Sequence, residues 1–270
     1  MNSDCTNATT GFTNYLSKYP NGHFVLEANY YGAECYSKNK DWTNALKGYD
    51  YVSSLGANKY FERATLAASR INYFELKDYA AAEKNFQSLR FNAVNQDNKL
   101  EALRGLVRSE YQLKDYAQAD TAATELLTKK GISTDDKSIA DLVLGKSLEV
   151  NNDSANAIIA FRSCAAINRS AWGAEARYEI ASSQFSLKNF IAAQKAAMAV
   201  IKETNSYDYW VTRSYILLGD IFEQKKDYFN AKATYQSVVQ NSTIDELKTE
   251  AQQKLDKAIA EEADNSKITN

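Results

Sequence analysis

Proline and glycine are scarce in this sequence, which holds one proline and ten glycines among 270 residues. Proline alone usually makes up about 5% of a protein. Both residues interrupt helices, proline because it lacks a backbone N–H and glycine because of its conformational freedom. A chain with so few helix breakers is expected to be all-α, and it is long enough to bury a core.

Histidine and cysteine are too few for most kinds of chemical site. His23 is the single histidine, which leaves almost no room for a histidine-based triad or a multi-histidine metal site. Cys5, Cys35 and Cys164 are widely spaced without a C-x-x-C motif, so we expect small apolar side chains with free thiols, not a disulfide framework or a zinc site. No phosphate-binding glycine motif occurs. The sequence therefore predicts no catalytic, cofactor or metal residues and no enzyme.

An excess of basic charge and a long hydrophobic run are both absent. The 32 basic and 34 acidic side chains give a net charge of -2, and the mean hydropathy is -0.51. Nucleic-acid binding normally requires a basic surface, and a transmembrane helix requires about 20 apolar residues. We expect neither a nucleic-acid partner nor a transmembrane segment. The first residues, 1–5, have no charged or apolar region of the kind found in signal peptides, so no signal sequence is expected within this chain.

What the sequence does have is an internal repeat. An Asp or Asn lies four residues before a recurring alanine, and an aromatic residue often follows that Asp or Asn directly. The Asp or Asn is expected to cap a helix, and the alanine to let two helices cross closely. Apolar residues follow four and seven positions later, on the same helix face, with Ala123 and Ala197 as small exceptions at the fourth position. The anchoring alanines, spaced by 36 to 38 residues, are Ala8, Ala45, Ala82, Ala119, Ala157, Ala193 and Ala231.

The segment before each anchor predicts another helix, because it carries an apolar stripe of helical period. A small residue lies twelve positions before the anchor in four pairs: Ala33, Gly145, Ala181 and Gly219. Arg70 and Val107 occupy this position in the other two pairs, where we expect a drift of one or two residues. Each unit of about 37 residues is therefore a first helix, a short turn and a second helix.

This pattern resembles the tetratricopeptide repeat (TPR) over residues 4–260, with Pro20 at the place of the family's inter-repeat proline. The resemblance implies an α-α superhelix (TPR solenoid) of about 14 helices that is right-handed. Residues 1–22 would hold the second helix of a truncated repeat, and 23–242 six helix pairs. Residues 243–263 would form a C-terminal capping helix and 264–270 a frayed tail, all in one continuous solenoid.

In TPR proteins the first helices line a concave groove that binds a peptide or helical segment. The resemblance therefore implies a non-catalytic protein-interaction scaffold or adaptor without a cofactor. The residues expected to face the groove and bind the partner are Glu27, Tyr30, Glu34, Lys38, Arg104, Arg108, Tyr111, Lys146, Glu149, Glu175, Tyr178, Ser182, Trp210, Arg213, Asp220 and Glu223.

Two alternatives remain open at these positions. Arg104 and Arg108, one helical turn apart, face the same way and would either bind a partner's carboxylate or form ion pairs within the protein. As an alternative function, the groove aromatics would bind a cell-envelope glycan. The expected stacking platforms are Tyr30, Tyr111, Tyr178 and Trp210.

A second resemblance concerns the compartment. Residues 208–220 look like the last repeats of long TPR proteins of the Gram-negative envelope, and Phe12, Leu16, Tyr19 and Pro20 are similar to Tol–Pal-associated and outer-membrane-assembly TPR proteins. This implies a bacterial protein of the periplasm or the outer membrane. We also expect further repeats upstream, and homo-oligomers through the N-terminal helix if its face stays uncovered.

Overall fold

The computed structural model describes residues 5–204 and 206–268, the side chains of 265–268 excepted. This part of the chain forms fourteen α-helices and no strand, which confirms the all-α fold class. One π-helical segment, Ile71–Leu76, directly continues the fourth helix. The helices are α1 (Cys5–Lys18), α2 (Val25–Lys38), α3 (Trp42–Ser54), α4 (Phe61–Arg70), α5 (Tyr79–Asn92), α6 (Gln96–Gln112), α7 (Tyr116–Leu127), α8 (Thr134–Val150), α9 (Ser154–Ile167), α10 (Ala171–Ser186), α11 (Phe190–Glu203), α12 (Asp208–Gln224), α13 (Tyr228–Asn241) and α14 (Asp245–Ile268).

The chain divides into two compact units, Met1–Gly131 and Ile132–Asn270. In the N-terminal unit each helix from α1 to α7 packs on the next helix in the chain, and the first helices α4 and α6 also touch. In the C-terminal unit α8 to α14 pack in the same way, and α8, α10, α12 and α14 form a row in which neighbours touch. Helix α14 thus takes the place of a further first helix.

The turn between the two helices of a pair contains a residue in the left-handed conformation in all six pairs, and in five of them the next N–H bonds five residues back. Lys114, for example, has a φ of 59°, in the left-handed region, and the N–H of Asp115 donates to the carbonyl of Glu110 at 3.0 Å. These are the features of a Schellman motif, which ends a helix. The residues in the left-handed conformation are Lys40, Lys77, Lys114, Asn152, Lys188 and Lys226.

The residue that closes the first helix also caps the second. The carboxylate of Asp115 accepts from the backbone N–H of Gln118 at 3.2 Å, which confirms the predicted helix cap. The same side-chain cap forms at Asp41, Asp78, Asp153 and Asp227. Asn189 makes no such bond, and the predicted Asp4 cap lies outside the described residues. One residue therefore fixes the end of one helix and the start of the next.

The cores are built around the anchoring alanines. All of them from Ala45 to Ala231 are fully buried, whereas Ala8 on α1 is only half-buried. The small residue of the first helix lies against the aromatic residue four positions after the anchor. A Cβ on Gly145 would be 2.3 Å from the ring of Phe161, and one on Gly219 would be 2.3 Å from the ring of Tyr235.

The first helices α4 and α6 lack a small residue twelve positions before the anchor for different reasons. In the third pair the first helix has the larger Val107 and the second helix the smaller Ala123. Both are fully buried. The larger side chain on one helix therefore compensates for the smaller one on the other, and no drift occurs. In the second pair the π-helical segment adds one residue, because the N–H of Asp78 bonds to the carbonyl of Asn72, six positions back. The buried Ser69 therefore replaces Arg70 at the crossing, as the expected drift implies.

The expectation of three free cysteines is wrong for two of them. Cys5 on α1 and Cys35 on α2 form a disulfide, with their Cα atoms 4.9 Å apart. The two residues are 30 positions apart in sequence, and only the packing of α1 on α2 brings them together. Cys164 is free, and burial raises the pKa of its thiol to about 12.

Helix α14 extends beyond the predicted capping helix of residues 243–263. It runs from Asp245 to Ile268, so the predicted frayed tail is helical up to that residue; residues 269 and 270 lie outside the described part. No proline or glycine interrupts the segment, and adding a residue to an existing helix is favourable. Leu247, Ala251 and Leu255 bury their side chains in the core beside α13.

We predict that Lys114→Val destabilises the protein by about 1–2 kcal/mol, because a β-branched residue is strained in the left-handed region. Lys114→Gly should be neutral or stabilising by up to about 1 kcal/mol. Urea unfolding gives both values. Lys84→Val, at an exposed helical position, is the control for lost helix propensity. Equal stabilities of the valine and glycine variants at position 114 would contradict the prediction.

Candidate functional site

The predicted groove residues of α2 make contacts within the N-terminal unit. The carboxylate of Glu27 pairs with the Lys59 ammonium at 2.7 Å, and this bond lowers the pKa of Glu27. Glu34 accepts a hydrogen bond from the Tyr49 hydroxyl at 2.6 Å. Lys38 is exposed. Glu34 therefore joins α2 to α3, and Glu27 joins α2 to the loop before α4.

Tyr30 is not open to a ligand. Its ring is buried and stacks on Tyr60, with a centroid distance of 4.2 Å and an interplanar angle of 9°. Tyr60 in turn donates its hydroxyl hydrogen to Tyr31 at 3.1 Å. The ring face that a sugar would need at Tyr30 is therefore covered by another ring.

Arg104, Arg108 and Tyr111 lie half-buried along α6, as their helical spacing predicts. The guanidinium of Arg104 is 3.6 Å from the carboxylate of Glu101. Arg104 therefore forms an ion pair within the protein, which is one of the two alternatives that the sequence left open. The same carboxylate accepts from Arg70 at 2.7 Å. Glu101 therefore joins α6 to α4 through Arg70 and also pairs with Arg104 within α6.

In the C-terminal unit Lys146 is the centre of an acidic cluster on α8 and α10. Its ammonium lies 3.2 Å from Glu175, which is buried, and 2.6 Å from Glu179. Glu149 accepts hydrogen bonds from Ser154 at 3.0 Å and from Ser183. Ser182, also predicted, is half-buried.

Glu179 is part of this cluster although it was absent from the predicted set. Burial raises its pKa, and the neighbouring carboxylates of Glu175 and Glu149 raise it further, while Lys146 lowers it. Its position, four residues after Glu175 on α10, is one helical turn along the same face. That spacing is the feature of the sequence from which Glu179 could have been predicted.

The last three first-helix positions are paired with α14. Arg213 contacts Glu250 at 2.6 Å, Asp220 contacts Lys254 at 2.7 Å, and Glu223 contacts Lys257 at 2.6 Å. The α14 partners were missed because the sequence predicted α14 to be a solvated cap. The α14 residues lie 34 to 37 positions after their partners, close to one repeat period. That spacing is the feature of the sequence from which these ion pairs could have been predicted.

A cleft of about 230 Å³ opens between α10, α12 and α14. We call it the α12–α14 cleft; it is lined by Phe185, Asp220, Glu223, Gln224, Lys254 and Lys257. Beneath it the Tyr235 hydroxyl donates to Asp220 at 2.6 Å and to Glu223 at 3.0 Å. Burial and these two carboxylates raise the pKa of Tyr235, so its hydroxyl stays a donor. The cleft therefore combines carboxylates, ammonium groups and the aromatic ring of Phe185.

Trp210 lies beside this row, at the start of α12. Its ring is half-buried and packs on the buried Tyr178, with centroids 5.3 Å apart. Tyr209 meets it edge-on at 4.9 Å, and the guanidinium of Arg213 lies 5.7 Å from the centre of the Tyr178 ring. Tyr178, like Tyr30, therefore presents no free ring face.

Neither a metal site nor a membrane span is evident in the described part of the chain. No group of three or more histidine, cysteine, aspartate or glutamate side chains is placed to hold a metal ion there. None of the helices in that part combines the length and the apolar character needed to cross a bilayer.

Glu110 on α6 is a buried carboxylic acid that sequence reasoning missed. Its Oε2 atom has no hydrogen-bond partner, and burial raises its pKa from 4.5 to about 7. The carboxylates of Glu83 and Asp115 raise the pKa further, whereas Arg90 lowers it. The equivalent repeat position holds Tyr36, Leu148, Gln184 and Phe222 in four other pairs, so a buried carboxyl takes the place of a mostly apolar position.

The raised pKa of Glu110 predicts that the free energy of unfolding falls as pH rises. The folded state retains a proton on Glu110 up to about pH 7, whereas the unfolded chain loses it near pH 4.5. Ionisation therefore costs stability between these values and above them. We expect Glu110→Gln to be about 1–3 kcal/mol more stable than the parent at pH 8 and nearly equal at pH 5.

Urea unfolding at pH 5 and pH 8 measures this effect. The matched control is Glu75→Gln, at an exposed position, which should change little at either pH. A Glu110→Gln variant with the parent's pH dependence would contradict the prediction.

Residues 213–242 match the family model described as tetratricopeptide repeat. No curated protein matches the chain by sequence. The chain is similar to the solved structure of a tetratricopeptide repeat protein from Parabacteroides merdae at 14% identity, covering 95% of this chain and 93% of that chain, with a TM-score of 0.51.

Two further solved structures are similar over most of the chain. The C-terminal part of a TPR repeat-containing protein from Cytophaga hutchinsonii is 14% identical, with 91% of this chain and 94% of that chain covered and a TM-score of 0.59. Yeast Tom70 is 13% identical, with 96% of this chain but 59% of that chain covered and a TM-score of 0.52. Together with the matched repeat, these likenesses confirm the predicted resemblance: the chain has the all-α fold of tetratricopeptide-repeat proteins.

Proposed function

We propose that this chain is a non-catalytic scaffold that binds a peptide or helical segment of a partner protein along its first helices. The tetratricopeptide-repeat fold supports the general class, since such repeats serve protein interaction. The α12–α14 cleft supports the location: it is an opening between first helices, and the predicted groove residues Asp220 and Glu223 line it.

The chemistry of the cleft suits an extended peptide. Asp220 and Glu223 present carboxylates, Lys254 and Lys257 present ammonium groups, and Phe185 supplies an apolar wall. The existing ion pairs hold these side chains in place, so binding costs little ordering entropy. Lys257 remains largely exposed despite its contact with Glu223, so a partner's carboxylate can reach it.

The glycan alternative has less support. Stacking on a sugar requires an open ring face, and Tyr30 and Tyr178 are both buried against other aromatic rings. The other two expected platforms, Tyr111 and Trp210, are half-buried. No feature of the described residues favours a glycan over a peptide.

The disulfide bears on the compartment. Stable disulfides are typical of oxidising environments such as the bacterial periplasm and are rare in the cytosol. The Cys5–Cys35 bond therefore supports the envelope location that the sequence resemblance implies.

Charge reversal in the cleft tests the proposal. We expect Lys254→Glu/Lys257→Glu to lower the affinity for a captured partner by about tenfold or more, because two attractive contacts with the partner become repulsive. The control, Lys195→Glu/Lys202→Glu, makes the same change in charge on exposed positions of the second helix α11. Partners are captured from envelope and cytosolic extracts, and the bound peptide is then titrated by calorimetry.

Equal affinities of the cleft variant and the α11 control would contradict the proposed site. Capture of no protein from either extract would contradict the scaffold function. Thermal unfolding of each variant separates a loss of binding from a loss of folding.

A further inference from the structure

The second helices of the C-terminal unit are basic, although the whole chain has a net charge of -2. Helices α9, α11 and α13 carry a single acidic side chain, Glu203, against four basic ones. The first helices α8, α10 and α12 each carry more acidic than basic side chains, and the second helices α3, α5 and α7 together have a slight acidic excess. The basic residues of α9, α11 and α13 are Arg162, Lys195, Lys202 and Lys232.

Helix α11 presents its lysines among apolar side chains. Four exposed residues spaced by four, three and four positions lie along one line of the helix, about 17 Å long. We call this the outward line of α11; it consists of Ile191, Lys195, Met198 and Lys202. Ile191 is 83% exposed and Met198 52%. The same four slots on α7 are also exposed, and they hold Ala117, Thr121, Thr124 and Thr128.

A groove of about 660 Å³ lies at the start of the outward line. Its apolar part is formed by Phe190, Ile191 and Ala192. Lys188, Lys195 and Lys225 border it together with Asn189, and none of the residues that line it is acidic. The groove therefore combines an apolar base with positive charge.

The positive charge of this surface is not neutralised within the protein. In the described part of the chain Lys188, Lys195 and Lys202 form no ion pair. Lys146 and Lys254, in contrast, pair with carboxylates of other first helices at 2.6 and 2.7 Å. The charge on α11 therefore remains available to an anionic ligand.

The outward line is a surface on which further repeats would not stack. Helix α11 packs on α10 and on α12, so both of its neighbouring first helices are already present. On α13 the slot of Ile191 holds Phe229, which is 77% exposed. The exposure of these side chains therefore does not depend on where the array begins or ends.

We propose that the outward line of α11 binds the surface of a bilayer that contains anionic phospholipids. Ile191 and Met198 enter the interfacial layer, with Phe229 as a further apolar anchor. The ammonium groups of Lys188, Lys195 and Lys202 contact the lipid phosphates. Helices that lie in a membrane interface combine large apolar and basic side chains in this way.

The arrangement of the apolar side chains favours a bilayer over an acidic protein as the ligand. The core of a protein interface is a contiguous apolar patch that the partner covers closely. On α11, however, Ile191 and Met198 project singly, with Lys195 between them. A fluid lipid layer surrounds single projecting side chains, and the alkyl part of a lysine reaches along them to the phosphates.

Vesicle sedimentation with the full chain tests the proposal. We expect binding to phosphatidylcholine vesicles that contain one third phosphatidylglycerol, and none to vesicles of phosphatidylcholine alone. Added salt should weaken the binding, because it screens exposed charges. Soluble polyglutamate is the probe for an acidic protein, and it should bind far more weakly because it offers no apolar phase.

Two charge-reversal variants locate the binding. Lys195→Glu/Lys202→Glu should lower the affinity for anionic vesicles by about tenfold or more, because attraction becomes repulsion. Lys47→Glu/Lys84→Glu makes the same change in charge at exposed positions of α3 and α5, and should bind like the parent. Lys47 and Lys84 are the matched control, since both occupy the repeat slot of Lys195.

A polarity-sensitive dye reports whether the apolar side chains enter the lipid. Ile191→Cys supplies the thiol to which the dye is attached. Cys164 is buried and the pKa of its thiol is raised to about 12, so it reacts little. We expect the emission to shift to the blue on anionic vesicles. The same dye at Ala117→Cys, the equivalent slot of α7, should not shift.

Four results would overturn the proposal. They are no preference of the chain for anionic over neutral vesicles, an equal loss of binding in the two double variants, equal dye shifts at positions 191 and 117, and binding of polyglutamate without binding of vesicles. The last would identify an acidic protein as the ligand. The α11 double variant should keep its affinity for a soluble peptide in the cleft test, so the two proposals fail separately.

Discussion

The close crossing of two helices at each anchoring alanine is the constraint on which the rest of the structure depends. Such a crossing needs a fixed total volume, because protein interiors are close-packed. At Phe161 and Tyr235, where the second helix supplies a ring, the first helix supplies a glycine. Where the second helix supplies Ala123, the first helix supplies Val107. The fifth pair, with Ala181 and Ala197, packs the rings of Phe185, Phe190 and Trp210 against its core.

This constraint separates what the sequence could predict from what it could not. The anchors, the caps and the all-α class follow from local spacing, which a single helix pair already determines. The Cys5–Cys35 disulfide and the Glu223–Lys257 pair connect helices that are adjacent only once the repeats have stacked. The helical period within one segment does not contain that information, although Glu223 and Lys257 are about one repeat apart. The π-helical segment Ile71–Leu76 is a different case: Arg70 at the crossing position predicted a drift of one or two residues, but not the π-helix that produces it.

The groove residues illustrate the same limit. The sequence placed Glu27, Lys146, Arg213 and Asp220 on the first helices, where the structure also has them. The partners of Lys146, Arg213 and Asp220 come from the next helix in the row, and the partner of Glu27, Lys59, lies in the loop before α4. A long charged side chain reaches across this distance, and its rotamer depends on the neighbour it meets. Which groove positions pair, and which are buried as Glu175 is, therefore required the packed structure.

The anchoring alanines from Ala45 to Ala231 are fully buried, whereas the charged side chains along the first helices differ from one repeat to the next. Recognition can then change by substitution of these residues without any change in the core. The buried Glu110 is a departure from this rule, because a carboxyl takes the place of a mostly apolar position.

A double-mutant cycle between Gly145 and Phe161 tests the volume constraint most directly. In the parent, Gly145→Ala should destabilise by about 1–3 kcal/mol in urea unfolding, because the new Cβ meets the ring. In the Phe161→Ala background the same change should be neutral or stabilising by up to about 1 kcal/mol, because alanine favours the helix. Gly11→Ala, with no atom within 4 Å of its Cβ, should also stabilise. An equal cost of Gly145→Ala in both backgrounds would contradict the account.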